Sequence, residues 1–186
     1  MSILKTKIIP DTDYNGEQLS PHWIYRQTKI SGNALIAFEG KADVSLDHMV
    51  DLEDVEKKAP IYSPRMLHFL GEFFIDSLET AIAYQHLLVF HLYEALVKQI
   101  GAQDFTRRGN DLYWKNRKAS VSIATKSPVS VLVHLGVNIE TENTPIPTSG
   151  LKEMGIDPKA LGAAILETFH QDYEIWARAR VKVLPR

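Results

Sequence analysis

Residues 107–118 have the sequence Arg107-Arg108-Gly109-Asn110-Asp111-Leu112-Tyr113-Trp114-Lys115-Asn116-Arg117-Lys118. The run 115–117 is typical of a hairpin loop, and it separates short apolar segments over 112–114 and 119–124 that we predict to be strands. In the second segment serines alternate with Val121 and Ile123, which predicts one polar and one apolar face. This stretch is the most specific in the chain, because its twelve residues hold five cations, two amides and one carboxylate.

The region before this hairpin predicts a strand followed by a long helix. Residues 65–75 are rich in aromatic side chains and suit a strand. Asp76 is the candidate N-cap, with Glu79 at the spacing of a capping box. Apolar residues at near-helical spacing predict a helix over 77–99. Gly101 supplies a stop signal.

Two further segments lie closer to the N-terminus. Residues 32–39 predict a buried strand that Gly40 closes. Residues 41–60 are the most polar part of the chain and predict a long loop with one helical turn.

The C-terminal third predicts one more strand and one more helix. Residues 129–138 alternate between apolar and polar side chains, the clearest strand pattern in the chain. Asp157 is a candidate N-cap, and Pro158 is suited to the first turn of a helix that reaches about residue 179. The order of elements predicts an α+β fold with a mainly antiparallel sheet and helices packed on it.

Length and composition limit the function classes. The 186 residues indicate a single domain over 1–186. The net charge of −2 gives no basic excess, so we expect no nucleic-acid partner. No apolar run is long enough for a signal peptide or a membrane span, so we expect a cytoplasmic protein with no membrane partner. Cysteine is absent, which removes disulfides and thiolate chemistry. The expected partner is a small-molecule ligand, and a homodimer is compatible with the sequence.

The hairpin segment resembles a motif of biotin and lipoate protein ligases. Their pattern runs Lys-Trp-Pro-Asn-Asp-Leu-Tyr, a hairpin turn and then Lys-Leu-Ala-Gly. A long helix precedes that motif, and a strand ending in Gly-Ile-Asn follows it, where this chain has Gly136-Val137-Asn138. The resemblance covers roughly residues 65–140. It implies the catalytic-domain fold of these ligases, which is like that of class II synthetases.

A second resemblance spans nearly the whole chain. It is to a mainly archaeal family known as domain of unknown function 366, which brings no established activity. The segments that carry it are Met66-Leu67-His68-Phe69, Ala83-Tyr84-Gln85-His86-Leu87-Leu88, Ser120-Val121-Ser122-Ile123-Ala124, Ser127-Pro128, His134-Leu135-Gly136-Val137-Asn138 and Glu153-Met154-Gly155-Ile156.

The ligase resemblance implies a set of site residues. Arg107 stands in place of the lysine that helps to activate the carboxylate, and Lys118 matches the hairpin lysine, so these two are the candidate catalytic residues. Asp111 would hold Mg²⁺ beside the phosphates of ATP, the two cofactors that the resemblance implies. The candidate binding residues are Asn110, Asp111, Ser120, Ser122, His134 and Asn138. The implied chemistry is ATP-dependent acyl-adenylate formation or acyl transfer.

Two departures from the ligase pattern leave functions other than ligation open. The glycine- and arginine-rich loop that closes over the adenylate has as its counterpart Glu39-Gly40-Lys41-Ala42-Asp43-Val44, followed by more acidic residues. Val121 replaces a glycine and would narrow an acyl tunnel. The alternatives are therefore a non-catalytic sensor or binding module that has lost the lid, and a structural or interaction protein.

The other polar groups favour simpler roles. His134 and Asn138 project from the same strand face, as do His68 and Glu72. His86 and His91 are five residues apart, which does not match the helical zinc spacing, so a histidine metal site is not expected. The acidic residues of the polar stretch are most simply a solvated loop, although a Mg²⁺ or Ca²⁺ role stays open: Asp43, Asp47, Asp51, Glu53 and Asp54.

Overall fold

The computed structural model describes residues 4–185 of the protein. Its β-strands are β1 (Lys5–Ile8), β2 (Ala34–Val44), β3 (Ile61–Phe73), β4 (Phe105–Arg108), β5 (Asp111–Trp114), β6 (Arg117–Lys118), β7 (Ser120–Lys126) and β8 (Val131–Glu140). Its α-helices are α1 (Trp23–Thr28), α2 (Leu52–Glu56), α3 (Leu78–Ile100), α4 (Leu151–Met154) and α5 (Pro158–Lys182).

The strands form two sheets. The larger has the order β1-β2-β3-β8-β7, and the smaller has the order β4-β5-β6. Strand β1 pairs with β2 in parallel, and every other strand pair is antiparallel. This mixed architecture confirms the predicted α+β fold, in which helices pack on a mainly antiparallel sheet.

Side-chain alternation gives the large sheet two different faces. Leu67, Phe69 and Phe73 of β3 point to the side where α3 and α5 pack, together with Val133 and Leu135 of β8. We call this side the helix face. On the opposite side, β3 carries His68, Leu70 and Glu72, and β8 carries Leu132, His134 and Asn138. We call it the histidine face. It is covered by α1 and by segments near Tyr14 and Met49.

Two predicted strands begin or end elsewhere in the structure. Strand β2 does not close at Gly40 but continues through it to Val44, with a register shift between Gly40 and Ala42. Strand β3 begins at Ile61, inside the predicted loop, and accommodates Pro64. The remaining loop contains a short 3₁₀ turn and the five residues of α2, in agreement with the predicted helical turn.

The long helix α3 has a different N-cap from the one predicted. Ser77, not Asp76, caps it, and its hydroxyl accepts a hydrogen bond from the amide of Thr80 at 3.1 Å. Asp76 instead forms an ion pair with Lys126. The stop at Gly101 is confirmed, because this residue has φ 84 and its amide bonds back to Val97. Asp157 caps α5 as predicted, through the amide of Lys159 at 3.0 Å.

The small sheet consists of two tight hairpins. Gly109 with φ 62 occupies the first position of a two-residue turn between β4 and β5. Lys115 and Asn116, both with positive φ, form the two-residue turn between β5 and β6, the backbone pattern of a type I′ turn. The predicted strand over 119–124 is confirmed as β7, but the hairpin partner of β5 is the two-residue strand β6, after which the amide of Ala119 bonds to the carbonyl of Leu112 at 2.8 Å. The chain then passes into β7, which belongs to the large sheet.

Of the residues that the structure describes, none belongs to a helix long and apolar enough to cross a membrane.

Because Gly40 has no side chain, the segment that follows β1 can lie close against the backbone of β2. A Cβ atom at this position would lie 2.0 Å from the carbonyl oxygen of Thr12, a backbone atom that cannot move without breaking the pairing of Thr12 with Glu39. We therefore expect Gly40→Ala to lower the free energy of unfolding by about 3 kcal/mol, in urea denaturation followed by circular dichroism.

Gly32→Ala is the matched control, because Gly32 has φ 87 but no heavy atom within 4 Å of an added Cβ. This variant carries the backbone penalty alone, about 1 kcal/mol. Equal destabilisation of the two variants would show that the contact with Thr12 is not a tight one.

Candidate functional site

An ion pair between Asp111 and Lys118 lies at the centre of the predicted site. Their side chains are on the same face of the small sheet, and the carboxylate is 2.7 Å from the ammonium nitrogen. The side chains are only 20% and 22% exposed. Burial raises the pKa of Asp111, Lys118 acts to lower it, and the nearby carboxylates of Asp54 and Asp51 raise it further. The acidic N-terminal turn of α2 therefore lies close to the pair.

Arg107 lies on the other face of the hairpin. It pairs across β4 and β5 with Leu112, so it shares the side of that residue and is exposed. Arg108 is the residue opposite Asp111, but its guanidinium stacks 4.5 Å from the ring centroid of Tyr113. The structure does not bring Arg107 together with Asp111 and Lys118.

Three of the predicted binding residues connect the hairpin to the large sheet. The Asn110 amide donates to the carbonyl of Ser122 at 2.7 Å, and the Ser122 hydroxyl donates to the carbonyl of Asn110 at 3.1 Å. Gln85 of α3 donates to the same hydroxyl at 2.9 Å. The Ser120 hydroxyl accepts from the amide of Leu112 at 3.0 Å. Asn110, Ser120 and Ser122 thus hold the hairpin in place.

Asn138 orients the strand that carries Lys118. Its side-chain amide donates to the carbonyl of Lys118 at 3.2 Å, and its backbone amide donates to Ala119 at 3.0 Å. Asn138 therefore acts on the site through the backbone of β6.

His134 belongs to a buried aromatic stack on the histidine face. Its ring is parallel to that of Tyr14, with an angle of 2° and centroids 3.9 Å apart. Its Nε2 lies 3.1 Å from Nδ1 of His68, and Nε2 of His68 lies 3.3 Å from the carbonyl oxygen of Gly40. Because that carbonyl can only accept, His68 carries its proton on Nε2 and accepts through Nδ1. His134 must then donate through Nε2, which leaves its Nδ1 as an acceptor.

Burial keeps the two histidines neutral. Desolvation lowers the pKa of His68 from 6.5 to about 4, against a smaller opposing effect of the bond to Gly40. It lowers the pKa of His134 well below its ordinary value, and the proximity of His68 adds to the shift. Burial also raises the pKa of the Tyr14 phenol. This part of the site is an uncharged aromatic surface with hydrogen-bonding edges.

A narrow cleft runs between this stack and the acidic segment. Its polar lining comes from Tyr14, His48, Asp51, Asp54 and His134, and its apolar lining from Leu19, Val44, Met49, Val50, Ile61, Val121 and Ile123. Ser122 also lines the cleft, although its hydroxyl is bonded to Gln85 and Asn110 on the helix face. The acidic segment is therefore not wholly a solvated loop, since Asp51 and Asp54 face the cleft. Val121, which stands in place of the ligase glycine, lines it directly.

The segment 39–44 does not form a lid. It lies within β2, where the buried carboxylate of Glu39 accepts from Nη2 and Nε of Arg65 at 2.8 and 2.9 Å. The counterpart of the ligase loop is thus fixed in the sheet. The cleft is covered instead by the segment that contains α2.

Across residues 4–185, no group of three or more histidines, aspartates or glutamates is arranged to hold a metal ion. Asp111 contributes a single carboxylate to the site, and Lys118 occupies it.

The fold is that of the catalytic domains of biotin and lipoate protein ligases. Lipoate-protein ligase A bound with ATP superposes with a TM-score of 0.61 at 12% identity, covering 91% of this chain and 85% of that one. The biotin protein ligase of Aquifex aeolicus gives a TM-score of 0.58 at 16% identity, over 91% and 70% of the two chains. At such low sequence identity, these superpositions show a common fold alone.

The chain belongs to the family described as domain of unknown function 366 (DUF366), whose model matches residues 4–184. The structure of a protein of unknown function from Pyrococcus horikoshi is similar over 98% of this chain and 99% of that one, with 34% identity and a TM-score of 0.92. An uncharacterized protein of Methanocaldococcus jannaschii, MJ0805, is 32% identical in an alignment of 150 positions that covers 77% of this chain and 67% of that protein.

Tyr14 and the pairing of His68 with His134 were not predicted as parts of the site. The sequence does contain a signal for the histidine pair, since both histidines lie on the polar face of a predicted strand. It carries none for Tyr14, which is in an irregular segment beside β2.

The neutral histidines predict a loss of stability in acid. The unfolded chain binds a proton at each histidine near pH 6.5, whereas folded His68 does so only near pH 4. Stability present above pH 6.5 should therefore fall as the pH decreases to about 4, by on the order of 3 kcal/mol for His68. His68→Gln should flatten the plot of unfolding free energy against pH across this range.

His48→Gln provides the control, because His48 is a half-exposed histidine at the same cleft. Carboxylates titrate equally in all three proteins, so the difference between the two variants isolates the buried ring. Parallel pH profiles for His68→Gln and His48→Gln would mean that His68 is not held neutral.

Proposed function

We propose that the protein binds a small carboxylate or nucleotide-like anion in the cleft beside the Asp111–Lys118 pair. The observation that carries the proposal is the position of Lys118, whose side chain is 22% exposed and whose ammonium lies 2.7 Å from Asp111, close to Asp51 and Asp54 of the apolar cleft. A buried cation is a strong anion partner, because water screens it poorly. A ligand carboxylate would replace Asp111 as the partner of Lys118 in a charge-assisted hydrogen bond.

The cleft lining supports an apolar ligand body. Val44, Met49, Ile61, Val121 and Ile123 provide apolar contacts along its length. At one side the stacked rings of Tyr14 and His134 form a flat surface, with Nδ1 of His134 as an acceptor. A carboxylic acid with a short apolar chain matches this arrangement.

The first candidate for the chemistry is ATP-dependent acyl transfer. The ligand carboxylate would attack the α-phosphorus of ATP with release of pyrophosphate, and an acceptor amine would then take the acyl group and release AMP. Lys118 would neutralise the carboxylate and the α-phosphate. One carboxylate is a sufficient protein contribution where phosphates complete the shell of Mg²⁺, so Asp111 fits the metal once Lys118 has moved to the ligand.

The second candidate is a non-catalytic binding module. Asp51 and Asp54 face the cleft and would repel a triphosphate, and Arg107 lies on the other face of the hairpin. The remaining charge at the pair is close to zero, because Asp111 balances Lys118. This arrangement favours a singly charged ligand without nucleotide.

Incubation with ATP, Mg²⁺ and a panel of straight-chain and aromatic carboxylic acids tests both candidates. Pyrophosphate release with one of the acids supports acyl transfer. A rise in melting temperature with an acid, without pyrophosphate, supports the binding module. Lys118→Met should weaken either response by about tenfold or more, because it removes a charge-assisted hydrogen bond.

Lys115→Gln is the matched control, since Lys115 lies in the same hairpin but stacks 4.1 Å from the ring centroid of Trp114. Arg107→Ala should likewise leave binding unchanged. A response to no acid in the wild type, or equal responses in Lys118→Met and Lys115→Gln, would refute the proposed site.

A further inference from the structure

A second buried carboxylate lies at the other end of the histidine face. Glu72 of β3 is only 2% exposed. Its Oε1 accepts two hydrogen bonds, from the backbone amide of His22 at 2.8 Å and from the hydroxyl of Ser130 at 2.9 Å. These bonds fasten the segment before α1 and the turn before β8 to the centre of the sheet. Leu70, Leu132 and Ile36 separate Glu72 from the cleft described above.

Glu72 is buried without a counter-cation. Within residues 4–185, no ammonium, guanidinium or imidazole nitrogen forms an ion pair with it inside 4.0 Å. Glu39, the other buried glutamate of the sheet, has Arg65 at 2.8 Å. A buried carboxylate is costly unless it is paired, so the difference between the two residues needs a physical reason.

The second oxygen of Glu72 faces an open pocket. Among the described residues nothing donates a hydrogen bond to Oε2, yet this atom is not one of the fully buried unsatisfied ones. The adjoining pocket is lined by Glu72 itself, Ile24, Ile30 and three aromatic rings. Those rings belong to His22, Tyr25 and Phe74; Tyr25 is 47% exposed and Phe74 is 40% exposed.

We propose that this pocket binds a primary ammonium ion that carries a small apolar substituent. The ammonium would donate to Oε2 of Glu72 and lie against the faces of Phe74 and Tyr25, which attract cations through their ring quadrupoles. Phe74 and His22 are stacked with centroids 5.8 Å apart, which presents a continuous aromatic wall. The apolar substituent would contact Ile24 and Ile30. This site does not depend on the function proposed for the Asp111–Lys118 cleft.

Two lysines of the chain lie near the rim, and neither occupies the site. The ammonium of Lys5 donates to the carbonyl of Ser31 at 3.0 Å. Lys29 lies 5.7 Å from the ring centroid of Tyr25 and donates to Arg26. The Lys29 ammonium thus lies within cation–π range of the Tyr25 ring.

Titration of the whole protein with n-butylammonium chloride tests the proposal, with sodium chloride at the same ionic strength as reference. Binding is followed by the chemical shifts of the His22, Tyr25 and Phe74 amides and by the melting temperature. We expect saturable shifts at these residues and a roughly ten- to hundredfold larger Kd in Glu72→Gln, which loses a charged hydrogen-bond acceptor. Its amide oxygen can still accept from His22 and Ser130, so the fold should persist.

Three comparisons make the outcome decisive. Glu142→Gln changes the same charge at an exposed site and should bind like the wild type. Phe74→Leu keeps an apolar wall without a ring and should weaken binding even if Glu72→Gln does not fold. Tetramethylammonium, which cannot donate a hydrogen bond, should bind more weakly than butylammonium. Shifts that do not saturate, or equal affinities in Glu72→Gln and Glu142→Gln, would overturn the proposal.

Discussion

The pairing of β3 with strands on both sides is the constraint on which the rest of the structure depends. Strand β3 is hydrogen-bonded to β2 and to β8, so each of its side chains is assigned to one face of the sheet. Phe69 is fully buried under the helices, and the adjacent His68 is fully buried on the opposite side. A shift of one residue would exchange the two sets and place histidine and glutamate under α3. The polar groups of the histidine face are therefore a direct consequence of the register that builds the core.

Buried polar groups on this sheet are satisfied in three different ways. His68 and His134 are held neutral and bond to each other and to a carbonyl, which avoids burying charge. Glu39 is paired with Arg65 of the neighbouring strand β3. Among the described residues, only a backbone amide and a hydroxyl donate to Glu72. Dipoles of this kind compensate a carboxylate less fully than a cation does, so Glu72 is less well compensated than Glu39.

Local patterns in the sequence predicted most of the large elements. The alternation over 129–138 and the capping signals at Asp157 identified β8 and α5, because both depend on near neighbours in the chain. Strand β1 was missed, since its four residues are mostly exposed and its pairing with β2 joins distant segments. The contact between His68 and His134 likewise depends on register between strands far apart in sequence. No single-strand pattern contains that register.

The position of Arg107 shows a second reason why the site could not be predicted fully from the sequence. Spacing along the chain placed it near Asp111, but a two-residue turn lies between them. In an antiparallel hairpin the residue opposite Asp111 is Arg108, so Arg107 shares the side of Leu112. The predicted neighbours Asp111 and Lys118 do meet, because Lys118 pairs with Tyr113 and so returns to the face of Asp111. Turn length decides which hairpin residues meet.

The cleft of this chain is covered by a different segment from the loop that the ligase pattern predicts. The sequence counterpart of the ligase loop is part of β2, where Glu39 is bound by Arg65 and Gly40 lies against Thr12. Such a segment cannot close over a ligand without breaking strand pairing. Coverage of the cleft falls instead to the segment with Asp51 and Asp54, two residues that line it. In a site with poor screening these charges act against polyanions more than against a single carboxylate, because repulsion increases with ligand charge. For the function proposed above, these charges would favour a small, weakly charged ligand over a polyanion.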